Sequence, residues 1–267
     1  MYYHGYLSTA VTKQDKGRIE AKSLLLSTGY EAVGRMQADA GSFCVQDAVW
    51  QVLRSPDSRF NGGGQIGELV GAEAYLKAGS ALRGVGQAHG DLPRQLMAEC
   101  VKGIIQSESY LFKERGFSTI QEADDSWIKN NVNTCWLYSN MDRKSLPWLE
   151  YIADRAWGEN LFNRSKNVAI HYDGGAVSAE GIFIDSFHEL HISLEIEAGA
   201  IIKATSEFVR APDPVCYETR ERLFGYENKV FTALSRQEIG QSCGGGQGCA
   251  HLVDLLLYMQ QTIQEIE

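Results

Sequence analysis

No stretch of this sequence approaches the unbroken run of about 20 apolar residues needed to span a bilayer. The opening residues, Met1-Tyr2-Tyr3-His4-Gly5-Tyr6, lack the basic and then apolar pattern of a secretory signal. Positive charge is scarce. Lys and Arg number 25 against 34 Asp and Glu, a net charge of -9. That argues against general nucleic-acid binding, because a phosphate backbone rewards Lys and Arg, while leaving open a small anionic ligand held at one site. Cysteine is thin as well: six residues, at 44, 100, 135, 216, 243 and 249, are spread over 267 positions. Small secreted scaffolds carry a denser framework. These absences lead to the expectation of a cytoplasmic protein with no membrane and no nucleic-acid partner, whose thiols are reduced or bound to metal. They say nothing about its oligomeric state.

What is present is ordinary globular material, 44% hydrophobic and 22% charged, enough for one large domain or two of usual size. Residues 22–55 read as strands: Leu24 to Tyr30, Tyr30 to Gln37, and a third run starting at Phe43-Cys44-Val45. The triplet Gly62-Gly63-Gly64 ends that stretch, and helical spacing follows in Ile66–Leu76 and Leu96–Phe112. Residues 116–150 carry little periodicity, and Trp136, Trp148 and Trp157 suggest a segment that packs down. The strand pattern returns at Val168-Ala169-Ile170-His171-Tyr172, turns at Asp173-Gly174-Gly175, and runs back from Val177 to Ile184. Leu190, Ile192, Leu194 and Ile196 alternate onto one face of the next strand. Helices are expected over about 216–231 and 249–265.

Two short parallels suggest a diverged duplication. Ile66-Gly67-Glu68-Leu69-Val70-Gly71-Ala72-Glu73 resembles Arg220-Glu221-Arg222-Leu223-Phe224-Gly225-Tyr226-Glu227, and Glu99-Cys100-Val101-Lys102 resembles Gly248-Cys249-Ala250-His251. The expected architecture is therefore α+β, with two tandem units, each an antiparallel sheet followed by packed helices. Residues 1–120 form the first unit, 121–160 a linker and helix, and 161–267 the second. Lys102 standing where His251 stands puts the main site in the second unit.

The densest chemical signal is Ser242-Cys243-Gly244-Gly245-Gly246-Gln247-Gly248-Cys249-Ala250-His251, a glycine loop feeding a helix. A cysteine at a helix start lies in the positive end of the helix dipole, which favours thiolate. Asp254 follows His251 by three residues and can share its helix face. Thiolate, imidazole and carboxylate within a turn suit Zn or Fe. Buried structural cysteines are common, so the bland alternative stays open. Pro212-Asp213-Pro214-Val215-Cys216 offers a second helix-heading cysteine. Asp185-Ser186-Phe187-His188-Glu189-Leu190-His191 is the third signal: by strand parity His188 joins the apolar face, while Glu189 and His191 point the other way.

These residues carry two resemblances. His188-Glu189-Leu190, Pro212 to Cys216, Leu223-Phe224-Gly225 and Gly248-Cys249-Ala250-His251-Leu252-Val253-Asp254-Leu255 are similar to an uncharacterised bacterial domain-of-unknown-function family. Its pattern reads His-Asp-Met, Pro-x-x-Cys, Leu-x-Gly and Gly-Cys-Thr-His-Leu-x-Glu-Leu, and the likeness covers about residues 162–265. The same order of elements more distantly resembles the iron–sulfur scaffold fold of the IscU/NifU type. That second resemblance implies Glu189 in the acidic position, Cys216 heading a helix, and Cys249 with His251 as the final pair. The scaffold's first cysteine is missing here, with Phe187 and His188 near its place, and the final pair is reversed.

Two functions follow as expectations. One is a metal- or iron–sulfur-binding protein with Cys216, Cys249, His251, Glu189 and His188 as ligands for Zn or Fe, or for an iron–sulfur cluster. The other is a hydrolase or lyase acting on a small molecule such as an aromatic acid. There Cys249 is the nucleophile, or His251 the general base oriented by Asp254. A third reading is a duplicated interaction module without chemistry.

Overall fold

The computed structural model describes residues 1–153 and 158–266. Among them the strands are β1 (Tyr2–Gln14), β2 (Arg18–Ser27), β3 (Glu31–Asp39), β4 (Val45–Arg54), β5 (Gly62–Gln65), β6 (Asn160–Asp173), β7 (Ala176–Asp185), β8 (Glu189–Glu197) and β9 (Ala200–Arg210). The helices are α1 (Gly79–His89), α2 (Asp91–Ser107), α3 (Ile120–Asn131), α4 (Trp136–Ser139), α5 (Trp148–Ala153), α6 (Arg236–Cys243) and α7 (Ala250–Gln264). No helix among the described residues is long and apolar enough to cross a membrane.

The expected pair of tandem IscU/NifU-like sheets is overturned. All nine strands belong to one sheet, in the order β5-β4-β3-β2-β1-β6-β7-β8-β9. The two sequence parallels also occupy different structures. Gly67–Leu69 is a single 3-10 turn, whereas the matching Leu223-Phe224-Gly225 stretch lies inside a longer run of 3-10 turns, Pro214–Tyr226. Cys100 sits in the middle of α2, while Cys249 is the N-cap of α7. Short glycine-containing matches of this kind arise wherever a turn meets a helix.

The chain forms two compact units. One comprises Tyr6–Asp124 with Arg155–Arg164. In it β2, β3, β4 and β5 run as an antiparallel meander. Helix α2 lays Leu96, Met97, Cys100, Val101 and Ile104, all buried, on β2 and β3. Gly34 permits the close approach: a Cβ there would lie 2.6 Å from the Met97 methyl and 2.8 Å from Leu96 Cβ. The Cys100 thiol points at the Ala21 carbonyl, 3.5 Å away, and burial pushes it up to about 12 from an ordinary 9.0. Its proton therefore stabilises the fold below pH 9.0, and that stability is lost as pH rises toward about 12, because the unfolded chain ionises first. Urea melts at pH about 8 and about 10.5 should show a smaller alkaline loss for Cys100→Ala than for the native chain. Equal losses would remove this thiol from the alkaline balance.

The other unit comprises Met1–Gly5, Asp125–Asp154 and Ser165–Glu267. Strands β7, β8 and β9 form its antiparallel meander. The β8–β9 turn uses Ala198 and Gly199 at φ +49° and +80°, and the hairpin after β6 uses Gly174 and Gly175 at +57° and +102°. Helix α7 buries Leu252, Leu255, Leu256, Met259 and Ile263, each worth about 1.5–3 kcal/mol of transfer free energy. It lies on β7 at Gly181, where a Cβ would stand 2.5 Å from Met259 Sδ and 3.3 Å from Leu255 Cδ1. That absent side chain sets the height of α7 over the sheet, and so the position of its first turn. Trp148 packs edge-on to Phe187 at 4.8 Å, and Trp136 hydrogen-bonds Glu218. Trp157 lies outside the described residues.

Candidate functional site

Strand β7 presents Val177, Ala179, Gly181, Phe183 and Asp185 in alternation to the interior. The last of these is a carboxylate, 2% exposed, in a column otherwise apolar or glycine. Two residues of turn follow, and the inward column of β8 then continues from His188 through Leu190, Ile192 and Leu194. Because α7 rests on β7, its first turn places His251 over this junction. The His188 and His251 rings lie 3.8 Å apart between centroids, and Phe183 flanks His251 at 5.1 Å.

Asp185 organises the corner. Its Oδ1 accepts the backbone N–H groups of Phe187 and His188, both at 2.7 Å, and stands 3.1 Å from His188 Nδ1. Its Oδ2 is 3.8 Å from His251 Nε2. The other nitrogen of that ring, Nδ1, faces Cys249 Sγ at 3.7 Å. Arg210 clasps the turn from behind, donating to the carbonyls of Asp185, Ser186 and His188. One ligand atom each from Asp185, His188 and His251 fall within 4.8 Å of one another. Two imidazoles and a carboxylate at that spacing match the donor set of open zinc and non-haem iron sites.

The other residues singled out in the sequence lie as follows. Cys249 is the N-cap of α7, as its spacing implied. The N–H groups of His251 and Leu252 favour its thiolate, but burial outweighs them and pushes the thiol up to about 12. Cys216 is the third residue of the 3-10 run Pro214–Tyr226 and is likewise pushed up to about 12, by burial first and then by Cys249 and Cys135. The expectation that helix ends make these thiols thiolates is thus corrected: desolvation of a small anion exceeds the dipole's contribution. Glu189 lies on the opposite face of β8 and pairs with His191 at 3.6 Å. Asp254 pairs with the buried Lys166 at 3.3 Å, and the carboxylate facing His251 is Asp185. Asp185 and Cys135 stood outside the ligand set drawn from the sequence. For Asp185 the available signal was parity, an acidic residue closing a strand column that is otherwise apolar. Cys135 had no signal, since it lies in a stretch without periodicity.

Fold and site together define a sheet-and-helix unit with an Asp/His/His corner. Within it, residues 164–264 match the family model described as "Protein of unknown function (DUF2889)". The match spans the corner, Cys216 and Cys249, and stops short of Cys135. No curated protein matches the chain. The more distant likeness to the iron–sulfur scaffold fold is not supported, because Cys216 lies within 3-10 turns in place of heading an α-helix and the strands form a single sheet.

Proposed function

We propose that this unit binds one divalent transition metal, zinc or ferrous iron, through Asp185, His188 and His251, and presents it to a small-molecule ligand. The observation that carries the reading is the convergence of those three ligand atoms within 4.8 Å, in a buried corner braced by Arg210. Three protein ligands leave a coordination position open, the arrangement of catalytic rather than structural sites. When bound, the ion supplies Lewis-acid chemistry at that position. Cys249, facing Nδ1 of His251, fixes the ring so that Nε2 turns toward Asp185, which is how outer partners orient metal-binding imidazoles.

The test is metal analysis of anaerobically purified protein, followed by zinc titration of the chelator-stripped chain. One equivalent is expected. His188→Ala should weaken binding at least about 100-fold, since outer partners alone are worth about 10–100-fold. Unchanged affinity in that variant ends the proposal.

One arrangement favours a second reading. Cys249 Sγ, His251 and Asp185 stand in line at 3.7 and 3.8 Å, the order of nucleophile, base and orienting acid. In this reading the neutral imidazole takes the thiol proton as a substrate is attacked. Turnover that survives exhaustive chelation and is lost in Cys249→Ser supports it over the metal.

A further inference from the structure

Among the described residues the sheet ends at β5, and all four residues of that strand, Gly62-Gly63-Gly64-Gln65, are exposed. Its paired neighbour is β4, in the register Val49↔Gln65, Trp50↔Gly64, Gln51↔Gly63 and Val52↔Gly62. The Ile66 N–H donates to the Ala48 carbonyl at 2.8 Å. Antiparallel ladders alternate residue by residue, so Gly62 and Gly64 also turn their backbone groups toward β4. The N–H and C=O groups of Gly63 and Gln65 therefore face away from β4, onto an open edge.

Natural sheets commonly blunt such an edge with charge, proline or a covering loop. None of these four residues is charged or proline. A Cβ at Gly63 would lie 2.5 Å from the Trp50 carbonyl oxygen, so the strand fits against β4 only as glycine. At Gly64 the Trp50 indole fills the place of a side chain, with Nε1 only 3.7 Å from where a Cβ would stand. Apolar side chains left in solvent frame the edge: Leu53 at the end of the β4 ladder, Phe60, which is 70% exposed, and Val70. Exposed apolar groups gathered in one place mark association surfaces.

We propose that β5 is an association edge, at which a second copy of this chain adds antiparallel across a two-fold axis through Gly64. The register follows from the outward groups. Gly63 of one copy exchanges two hydrogen bonds with Gln65 of the other, and Gln65 with Gly63, which is the self-complementary pattern a two-fold axis requires. At the axis glycine meets glycine, so no side chains collide. Charge selects a second copy over an unrelated strand. The pairing sets the turn before β5, Ser58–Phe60, against the turn after it, Gly67–Leu69, of the other copy. The first turn carries Arg59, its side chain 85% exposed, and the second carries Glu68. Each copy thus offers its cation to the other's carboxylate, twice per pair. Within one chain Arg59 already meets Asp57 and Glu68 meets His89, so the contacts between copies join these pairs into one row.

The test is sedimentation of the full chain at rising concentration up to about 1 mM, the weak end of measurable association, with amide exchange followed in parallel. A reversible shift toward twice the chain mass is expected. Exchange at Gly63 and Gln65 should slow as the dimer forms, while Gly64, bonded within its own chain, changes little. Arg59→Glu and Glu68→Lys each place like charges in both contacts, and each should weaken association about tenfold. Mixing the two variants in equal amounts restores opposite charges in both contacts and should return association to the native level. That rescue also shows that both variants are folded. A chain that stays monomeric throughout overturns the proposal and leaves the edge to a strand of another protein. So does a dimer whose Gly63 and Gln65 amides exchange as freely as in the monomer, or a mixture that associates no more tightly than its parts.

Discussion

Asp185→Ala is expected to lower the stability of the chain by about 2–6 kcal/mol and to abolish zinc binding. The stability loss follows from two buried N–H groups, of Phe187 and His188, each losing its acceptor at about 1–3 kcal/mol. Asp185→Asn separates the two roles. Its amide oxygen still accepts both N–H groups, so most of the stability should return, while the missing charge keeps zinc affinity at least about 100-fold down, or about 2.7 kcal/mol. Urea melts and zinc titrations of the two variants check this. An Asn variant that binds zinc as the native chain does would show that the carboxylate is only a turn-former.

The second large effect concerns Asp254. Its partner Lys166 is buried, with a side chain 3% exposed and its ammonium 5.4 Å from the Tyr258 ring centre. Asp254→Ala removes the carboxylate 3.3 Å from that buried charge and is expected to cost up to about 3–5 kcal/mol. The double variant Lys166→Met with Asp254→Leu removes both charges, and should recover most of the loss, because a buried ion pair contributes little beyond an apolar pair of similar size. Thermal melts of the single and double variants give the result. If the double variant is as unstable as the single, the pair is not what Asp254 supports. A double variant that is stable and still binds zinc places Asp254 in the fold and outside the site.

The strands were legible where their inward columns are apolar. Leu190, Ile192, Leu194 and Ile196 announce β8, because alternation is a local property that survives without knowledge of the rest of the chain. β1 went unread since two of its inward positions, Gly5 and Thr9, break the apolar column. Gly5 has a tertiary reason, since a Cβ there would meet the Tyr258 hydroxyl at 2.8 Å. The helix expected over 216–231 became 3-10 turns over Pro214–Tyr226, followed by Phe231–Ala233, a distinction that apolar spacing over so short a stretch does not draw.

For the candidate site, the sequence by itself singled out His188, His251 and the helix-capping Cys249 after its glycine loop, but not the carboxylate of Asp185 that stands between the two imidazoles. It did not determine which acid meets His188 and His251. Helical spacing offers Asp254 to His251, while strand parity sets Glu189 beside His191 and away from His188. The tertiary structure gave both histidines to Asp185, gave Asp254 to Lys166, and left Glu189 with His191 across the sheet. The physical reason is that spacing fixes only which side of its own element a residue occupies. The partner it meets there depends on how low α7 settles on β7, and that height is set by the missing side chain of Gly181 beneath Met259 and Leu255.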